Sequence, residues 1–318
     1  MSSAHGPCPV LVVAGPTASG KSALALRLAE ALDGVVINAD SMQMYRDLRI
    51  LTARPSPADE ARVPHRLYGV LDAAERGSVA GWREAALAEI AAARADERPA
   101  VLCGGTGLYL RALLEGIAEI PPVPAAVAEA AAARYARLGG EAFRDELRVL
   151  DPAAADRLFP GDGQRLQRAW AVSTATGRAL SDWQADVPAL PAGLTFRRVL
   201  LFPPRPASAE AVERRFRAMV AAGAVEEVAR LAARRLDPAL PAMKAIGVPE
   251  LLAHLQGRAT LEQATRNAVV ATRQYAKRQR TWFRHQFQSD LRADAQFSES
   301  GFEEIFSKVR ELVLTPEE

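Results

Sequence analysis

At 318 residues the chain is long enough for two domains, or for one large domain carrying an insertion. A hydrophobic fraction of 49% and a charged fraction of 25% exclude a disordered or fibrous chain and describe an ordinary globular protein. The net charge of +2 is too small to imply a nucleic-acid partner by itself, so the local distribution of charge has to carry that question.

Residues 9–14 (PVLVVA) read as a buried strand, and residues 22–32 have helical spacing, with Leu24, Leu28 and Leu32 on one face. Between them Gly15, Pro16, Thr17, Ala18, Ser19, Gly20, Lys21 and Ser22 fit G-x-x-x-x-G-K-[ST]. A strand, a glycine loop and a helix in that order make a phosphate cradle. The glycines let backbone N–H groups turn inward, the helix N-terminus adds partial positive charge, and Lys21 adds a full one. Ser22 is placed to hold a Mg²⁺ that bridges phosphate oxygens.

A second strand, residues 34–39, ends at Asp40-Ser41. Ligands in doubly wound sheets sit beyond the carboxyl ends of strands, which puts Asp40 on the rim of the cradle; the competing role is a helix N-cap. Residues 52–55 and 64–67 read as loops, and a helix follows near 80–95. The strand at 98–103 leads into a second glycine turn, Gly104-Gly105-Thr106-Gly107, that opens a helix. A nucleoside triphosphatase would usually place a magnesium-binding Asp at the end of such a strand. This strand ends in Cys-Gly-Gly, so Asp40 is the only strand-end carboxylate expected near the cradle.

Composition changes at residues 120–124 (IPPVP), and helical patterning then runs to about Trp183, with Arg165 and Arg168 on one face. Strand character returns only at 196–202. Helices are expected at 207–222, 225–235 and 247–255, and a long one from about 260. The fold class is therefore α/β: a P-loop core with a parallel sheet flanked by helices, plus an inserted small helical domain. Residues 1–120 form the first part of the core, 121–185 the insertion, and 186–318 the rest of the core with the C-terminal helices.

Between Glu262 and Asp290 there is no acid, while Arg273, Lys277, Arg280 and Arg284 follow i, i+4, i+7, i+11 spacing on one helix face. Tyr275, Trp282 and Phe283 are interleaved with them. Such a run is often a solvated face, but charge of one sign without compensation favours contact with a polyanion. The scattered histidines and the two cysteines lack ligand spacing, so no zinc site is expected, and His65 is expected to order its loop. Cys8 and Cys103 beside apolar strands fit a reduced compartment. With no secretory pattern and no run of about 18 apolar residues, a cytoplasmic protein without a membrane span is expected.

Two reactions suit this set. A small-molecule kinase would use the loop and an arginine-bearing lid, but lacks its second magnesium carboxylate and does not need the basic helix. Alternatively, a diphosphate leaves as a unit while the carbon bearing it is attacked. Lys21, Mg²⁺ and arginines would then stabilise the departing charge, and Asp40 would take a proton from the nucleophile.

The segments GPTASGKS (15–22), NADSMQMY (38–45), CGGTGLYLRALLEG (103–116), DPAAADRLFPGDGQRLQRAW (151–170) and RQYAKRQRTWFR (273–284) resemble the bacterial tRNA dimethylallyltransferase family, in the family's order. The resemblance implies transfer of a dimethylallyl group from dimethylallyl diphosphate to N6 of the adenosine 3′ to the anticodon (position 37). It implies that residues 15–22 hold the prenyl diphosphate with Mg²⁺, not a nucleotide, and that Asp40 is the general base. Lys21 and Arg215 would act on the diphosphate, with Arg214 and Arg217 hard to separate from Arg215 by sequence. Contact with the tRNA anticodon stem-loop would come from Asp40, Ser41, Met42 and Gln43, from Thr106 at the base channel, and from Gln164, Arg165, Leu166, Gln167 and Arg168. Lys244 and Gly247 match a further contact stretch, and Arg273, Lys277 and Arg280 complete the set. A monomer is expected. The chain departs from the family at Leu51, often Gly, at Arg54, commonly Lys, and at Val248-Pro249, commonly Tyr-Arg.

Overall fold

The computed structural model describes residues 9–314. Chain order is β1 (Val10–Ala14), α1 (Lys21–Ala31), β2 (Val35–Asn38), α2 (Pro57–Arg62), β3 (His65–Arg66), α3 (Val79–Ala95), β4 (Ala100–Gly104) and α4 (Gly107–Leu114). Then come α5 (Ala125–Leu150), α6 (Pro152–Arg157), α7 (Gly163–Thr176), α8 (Leu180–Ala185) and β5 (Phe196–Leu201). The rest is α9 (Arg205–Ala221), α10 (Ala224–Ala233), α11 (Val248–Leu255), α12 (Leu261–Gln286), β6 (Leu291–Ala293) and α13 (Phe302–Leu314).

The six strands form one parallel sheet in the order β3-β2-β4-β1-β5-β6. Strand β1 lies between β4 and β5, with Leu11 opposite Val101 and Arg197. All five of its residues are buried because helices cover both faces. The period-two alternation sorts them: Val10, Val12 and Ala14 pack with Trp82 and Ile90 of α3 and Leu110 of α4. Leu11 and Val13 pack with Leu24 and Leu28 of α1 and with Phe302 and Val309 of α13. A third cluster lies among α9, α10, α11 and α12, around Phe216, Val228, Leu251 and Ala268.

Two expectations need correction here. Residues 65–66 are not loop but a short edge strand, His65 opposite Val36 and Arg66 opposite Ile37. Strand β6 and helix α13, which sequence reading did not anticipate, complete one edge and one face of the sheet. Cys8 and His5 lie outside the described residues.

Residues 115–190 form a separate compact helical unit, somewhat wider than the 121–185 that composition suggested; the sheet unit comprises the chain on either side of it. The helical unit has its own core, with Phe143, Leu147, Ala154, Leu166 and Val172 fully buried. Asp151, itself buried, links two of its helices: it accepts from Ala154 N at 2.9 Å and from Ser181 N and Oγ at 2.9 and 2.7 Å.

Candidate active site

The glycine loop needs Gly20 at φ +89, a left-handed turn that sets the backbone N–H groups of the first turn of α1 facing the cradle. Its path is fixed from outside. Thr17 N donates to Gln279 Oε1 at 2.8 Å, Gln296 Nε2 to Ala18 O at 3.1 Å, and Phe297 N to Ser19 O at 3.2 Å. Gln279, buried in α12, also donates from Nε2 to Gly105 O at 2.9 Å, so one amide joins the two glycine turns. Lys21 reaches back toward Pro16 O at 3.4 Å. Burial lowers the affinity of its amine for a proton, Arg215 adds to that effect, and Cys103 and Asp40 oppose it. The Cys103 thiol beneath is pushed by burial up to about 11, so it stays neutral and unreactive there.

Asp40 follows β2 by two residues and is held by Asn38. Asp40 N donates to Asn38 Oδ1 at 2.8 Å, and Asn38 Nδ2 donates to Asp40 O and Leu67 O, each at 2.9 Å. Trp82 Nε1 in turn donates to Asn38 O at 2.8 Å. The carboxylate does part of a cap's work, since its Oδ1 accepts from Met42 N at 3.0 Å. Its Oδ2 accepts nothing from the described residues, so one oxygen positions the turn and the other is available for chemistry. Thr106 stands beside it, its hydroxyl accepting from Ser41 N at 3.1 Å. Tyr275, from α12, lies near Thr106, and burial raises its phenol well above the usual range.

Thr17, Lys21, Ser22, Asp40 and Arg215 line one cavity of about 350 Å³. The apolar part of its wall is made of Leu51, Val212, Phe216, Met219 and Ile246. Buried Glu227 fixes that wall by accepting from Ile50 N at 2.8 Å and Leu51 N at 3.0 Å. Of three neighbouring arginines on α9, Arg214 is exposed and Arg217 pairs with Glu213 and Glu262, while Arg215 lines the cavity. Arg215 makes no ion pair with a described residue, and burial lowers its affinity for a proton, with Asp40 opposing. A half-buried cation without a partner is electrostatically incomplete, and an anion in the cavity would complete it.

Ser41, Met42, Gln43 and Lys244 also line this cavity, and Gly247 packs against Leu51 at its edge. Gln43 has a structural duty too, donating to Thr52 O at 2.9 Å and Ala53 O at 3.1 Å. Three sequence assignments change. Arg280 is not on the exposed face of α12: it is 8% exposed, donates to Pro203 O at 2.6 Å and lies 4.1 Å over the Phe202 ring. Arg273 is compensated across helices by Glu213 at 3.0 Å, leaving Lys277 and Arg284 as exposed cations of that row. Leu166 is fully buried in the helical unit's core, while Gln164, Arg165 and Arg168 beside it are exposed. Sequence reasoning missed Asn38 and Gln279, and it placed Tyr275 and Arg278 only in the basic helix, whereas both line the cavity. The only available signal was that Gln279 breaks the basic row of α12 on its inward side. His65 has a structural role at the edge strand: its Nδ1 lies 2.9 Å from Val63 O and its ring meets Tyr68 edge-on.

The sequence profile of the family described as IPP transferase matches residues 43–286. A tRNA dimethylallyltransferase of Rhodospirillum centenum is 59% identical over 287 residues, covering 90% of this chain and 91% of that relative. One from Rhodospirillum rubrum is 56% identical, covering 93% of this chain and 90% of the relative. Among solved structures, the tRNA isopentenylpyrophosphate transferase of Bacillus halodurans superposes with a TM-score of 0.69 at 29% identity, over 96% of each chain. A eukaryotic dimethylallyltransferase acting on tRNA gives a TM-score of 0.80 over 96% of this chain and 78% of that one; at 23% identity it speaks for the fold alone. Among the described residues no helix is long and apolar enough to cross a membrane.

Proposed function

This chain belongs to the IPP transferase family, and we propose that it is a tRNA dimethylallyltransferase working through the cavity between Lys21, Asp40 and Arg215. The observation that carries the mechanism is that a phosphate cradle, a carboxylate with one oxygen left free and a set of apolar side chains line one cavity. The donor's diphosphate lies on the loop N–H groups, with Lys21 and Arg215 as its cations, and its five-carbon tail lies along Leu51, Phe216 and Ile246. That wall excludes water from the allylic carbon as positive charge grows on it.

The adenine N6 forms a bond to that carbon while the carbon–oxygen bond to diphosphate breaks, both electrons leaving with the diphosphate. The amine becomes acidic only as the C–N bond forms, and Asp40 Oδ2 is free to accept the proton at that point. Lys21 and Arg215, whose burial disfavours their charge, are stabilised as cations by the diphosphate. The residues fit a magnesium ion: Ser22 is exposed at the mouth of the cradle, and Mg²⁺ in phosphate sites needs few protein ligands beyond the phosphate oxygens. When bound, Mg²⁺ supplies charge stabilisation to the diphosphate. The target adenosine belongs to a loop and must be turned out of its stack to enter the cavity.

The test is transfer of label from dimethylallyl diphosphate to an anticodon stem-loop carrying adenosine 3′ to the anticodon, with AMP in parallel. Label is expected on the stem-loop. Asp40→Asn should lower the single-turnover rate by roughly 10²–10⁴-fold, the usual contribution of a general base, with stem-loop affinity retained. A variant keeping more than about a tenth of the rate would remove Asp40 from that role, and label on AMP alone would overturn the tRNA assignment.

A further inference from the structure

We infer that Phe159 is a stacking platform for an unpaired nucleobase, a contact of the helical unit separate from the cavity where the target adenine reacts. The inference rests on the tRNA reading above for the identity of its partner.

Phe159 is 74% exposed, in the turn between α6 and α7. An exposed Phe is unremarkable on a mobile loop, but this turn is held at Pro160 and closed by its own hydrogen bond. Pro160 O accepts from Tyr135 Oη at 2.9 Å, and Tyr135 packs edge-on against fully buried Phe143 at 5.4 Å. The turn closes through Asp162 N to Phe159 O at 2.9 Å, and Asp162 O then accepts from Arg165 N and Leu166 N to start α7. The opposing helix makes room for it: a Cβ on Gly140 would lie 2.1 Å from Pro160 O, and the chain there is bent by Gly139 at φ +75. The unit therefore breaks the regular course of α5 at Gly139 and keeps Gly140 bare beside a turn that opens with an exposed aromatic ring.

What lies around the ring points to one kind of partner. Gln164, Arg165 and Arg168 are exposed in the first two turns of α7, and neither arginine makes an ion pair with a described residue. The other arginines near the ends of α5 and α6 do not share this freedom: Arg148 pairs with Asp145 and Asp156, and Arg157 donates to Gln184 at 2.9 Å. A rigid aromatic face, two free guanidiniums and an amide suit a single-stranded nucleic acid. The ring stacks on a base, the guanidiniums meet phosphates, and the amide is left to read a base edge. A protein partner would favour a continuous apolar patch around Phe159, whereas the exposed side chains that follow it at the start of α7 are charged and polar.

The two halves of this surface have different physical signatures, and the experiment uses that. Affinity for the anticodon stem-loop is measured across a range of salt concentrations for wild type, Phe159→Ala, Phe159→Trp, Phe159→Leu and the double variant Arg165→Ala/Arg168→Ala. Phe159→Ala should weaken binding about ten-fold or more with an unchanged salt slope, because stacking releases no counterions. Trp should restore affinity and Leu should not. The double arginine variant should instead flatten the slope by about one to two units. Because the ring is exposed, all variants should unfold at the wild-type temperature. Equal affinities for Ala, Leu and wild type would overturn the platform, as would full rescue by Leu, which would show apolar contact with the RNA without stacking. Either result leaves the tRNA reading standing if wild type transfers label to the stem-loop; absence of that transfer would remove the reading itself.

Discussion

Replacing Gln279 by Leu probes the one side chain that fastens the cradle to the second glycine turn. The substitution nearly preserves volume while removing an acceptor 2.8 Å from Thr17 N and a donor 2.9 Å from Gly105 O. Thr17 is half-buried, and its N–H can recruit water through the cavity; Gly105 is buried and its carbonyl cannot. One bond is therefore lost at a net cost of about 1 kcal/mol, and the other leaves a stranded acceptor costing about 1–3 kcal/mol. The expected loss is about 2–4 kcal/mol, read as a lower urea midpoint at constant slope. Donor affinity should fall as well, because the loop N–H groups are no longer held in register. Gln279→Glu separates the two effects: it keeps the acceptor for Thr17 but sets a negative charge beside the donor's diphosphate, so its donor KM should rise more than that of the Leu variant. A stability change below about 0.5 kcal/mol in the Leu variant, with donor KM unaltered, would refute the reasoning and leave the loop self-supporting.

The two cations of α12 should behave differently. Arg280→Ala removes a buried guanidinium from Phe202 and from Pro203 O, and should destabilise by about 2–4 kcal/mol in a denaturant titration. Lys277→Ala, on the exposed side, should leave stability within about 0.5 kcal/mol but flatten the salt dependence of tRNA binding by about one unit. For pH, burial holds His65 below its ordinary value of 6.5 in spite of the Val63 carbonyl and nearby Glu60 and Asp59. As pH falls below 6.5 the unfolded chain takes up this proton before the folded one does, so acidification favours unfolding. Stability should be level above that pH and decline below it, and His65→Asn should remove that part of the decline. A variant with the wild-type slope would mean that other groups carry it.

Much of this protein is legible in its sequence because the information is local. The loop Gly15–Ser22 declares its strand and helix by position, and the residues of β1 declare burial on both faces by being uniformly apolar. Asp40 is found by its place after β2, and the insertion by a change of composition between two strands. Helix boundaries fell within a few residues, since amphipathic periodicity reports which face of an element is covered. It does not report by what. Periodicity put Arg280 in a basic row, yet Phe202 and Pro203 from the end of β5 bury it, and the acid compensating Arg273 comes from α9. Strand β6 and helix α13 escaped notice because three residues are too few for a periodic signal, and the apolar stripe of α13 has meaning only once a sheet face needs covering.

The site divides the same way. Residue types and spacing named the cradle, its lysine and the carboxylate proposed as the base, because each is a property of a short stretch of chain. Only the tertiary structure selected Arg215 from its neighbours, supplied the apolar wall, and brought Gln279 to Thr17 across 262 positions. Those choices depend on which helix faces meet, and that is settled by packing the whole chain rather than by any segment of it.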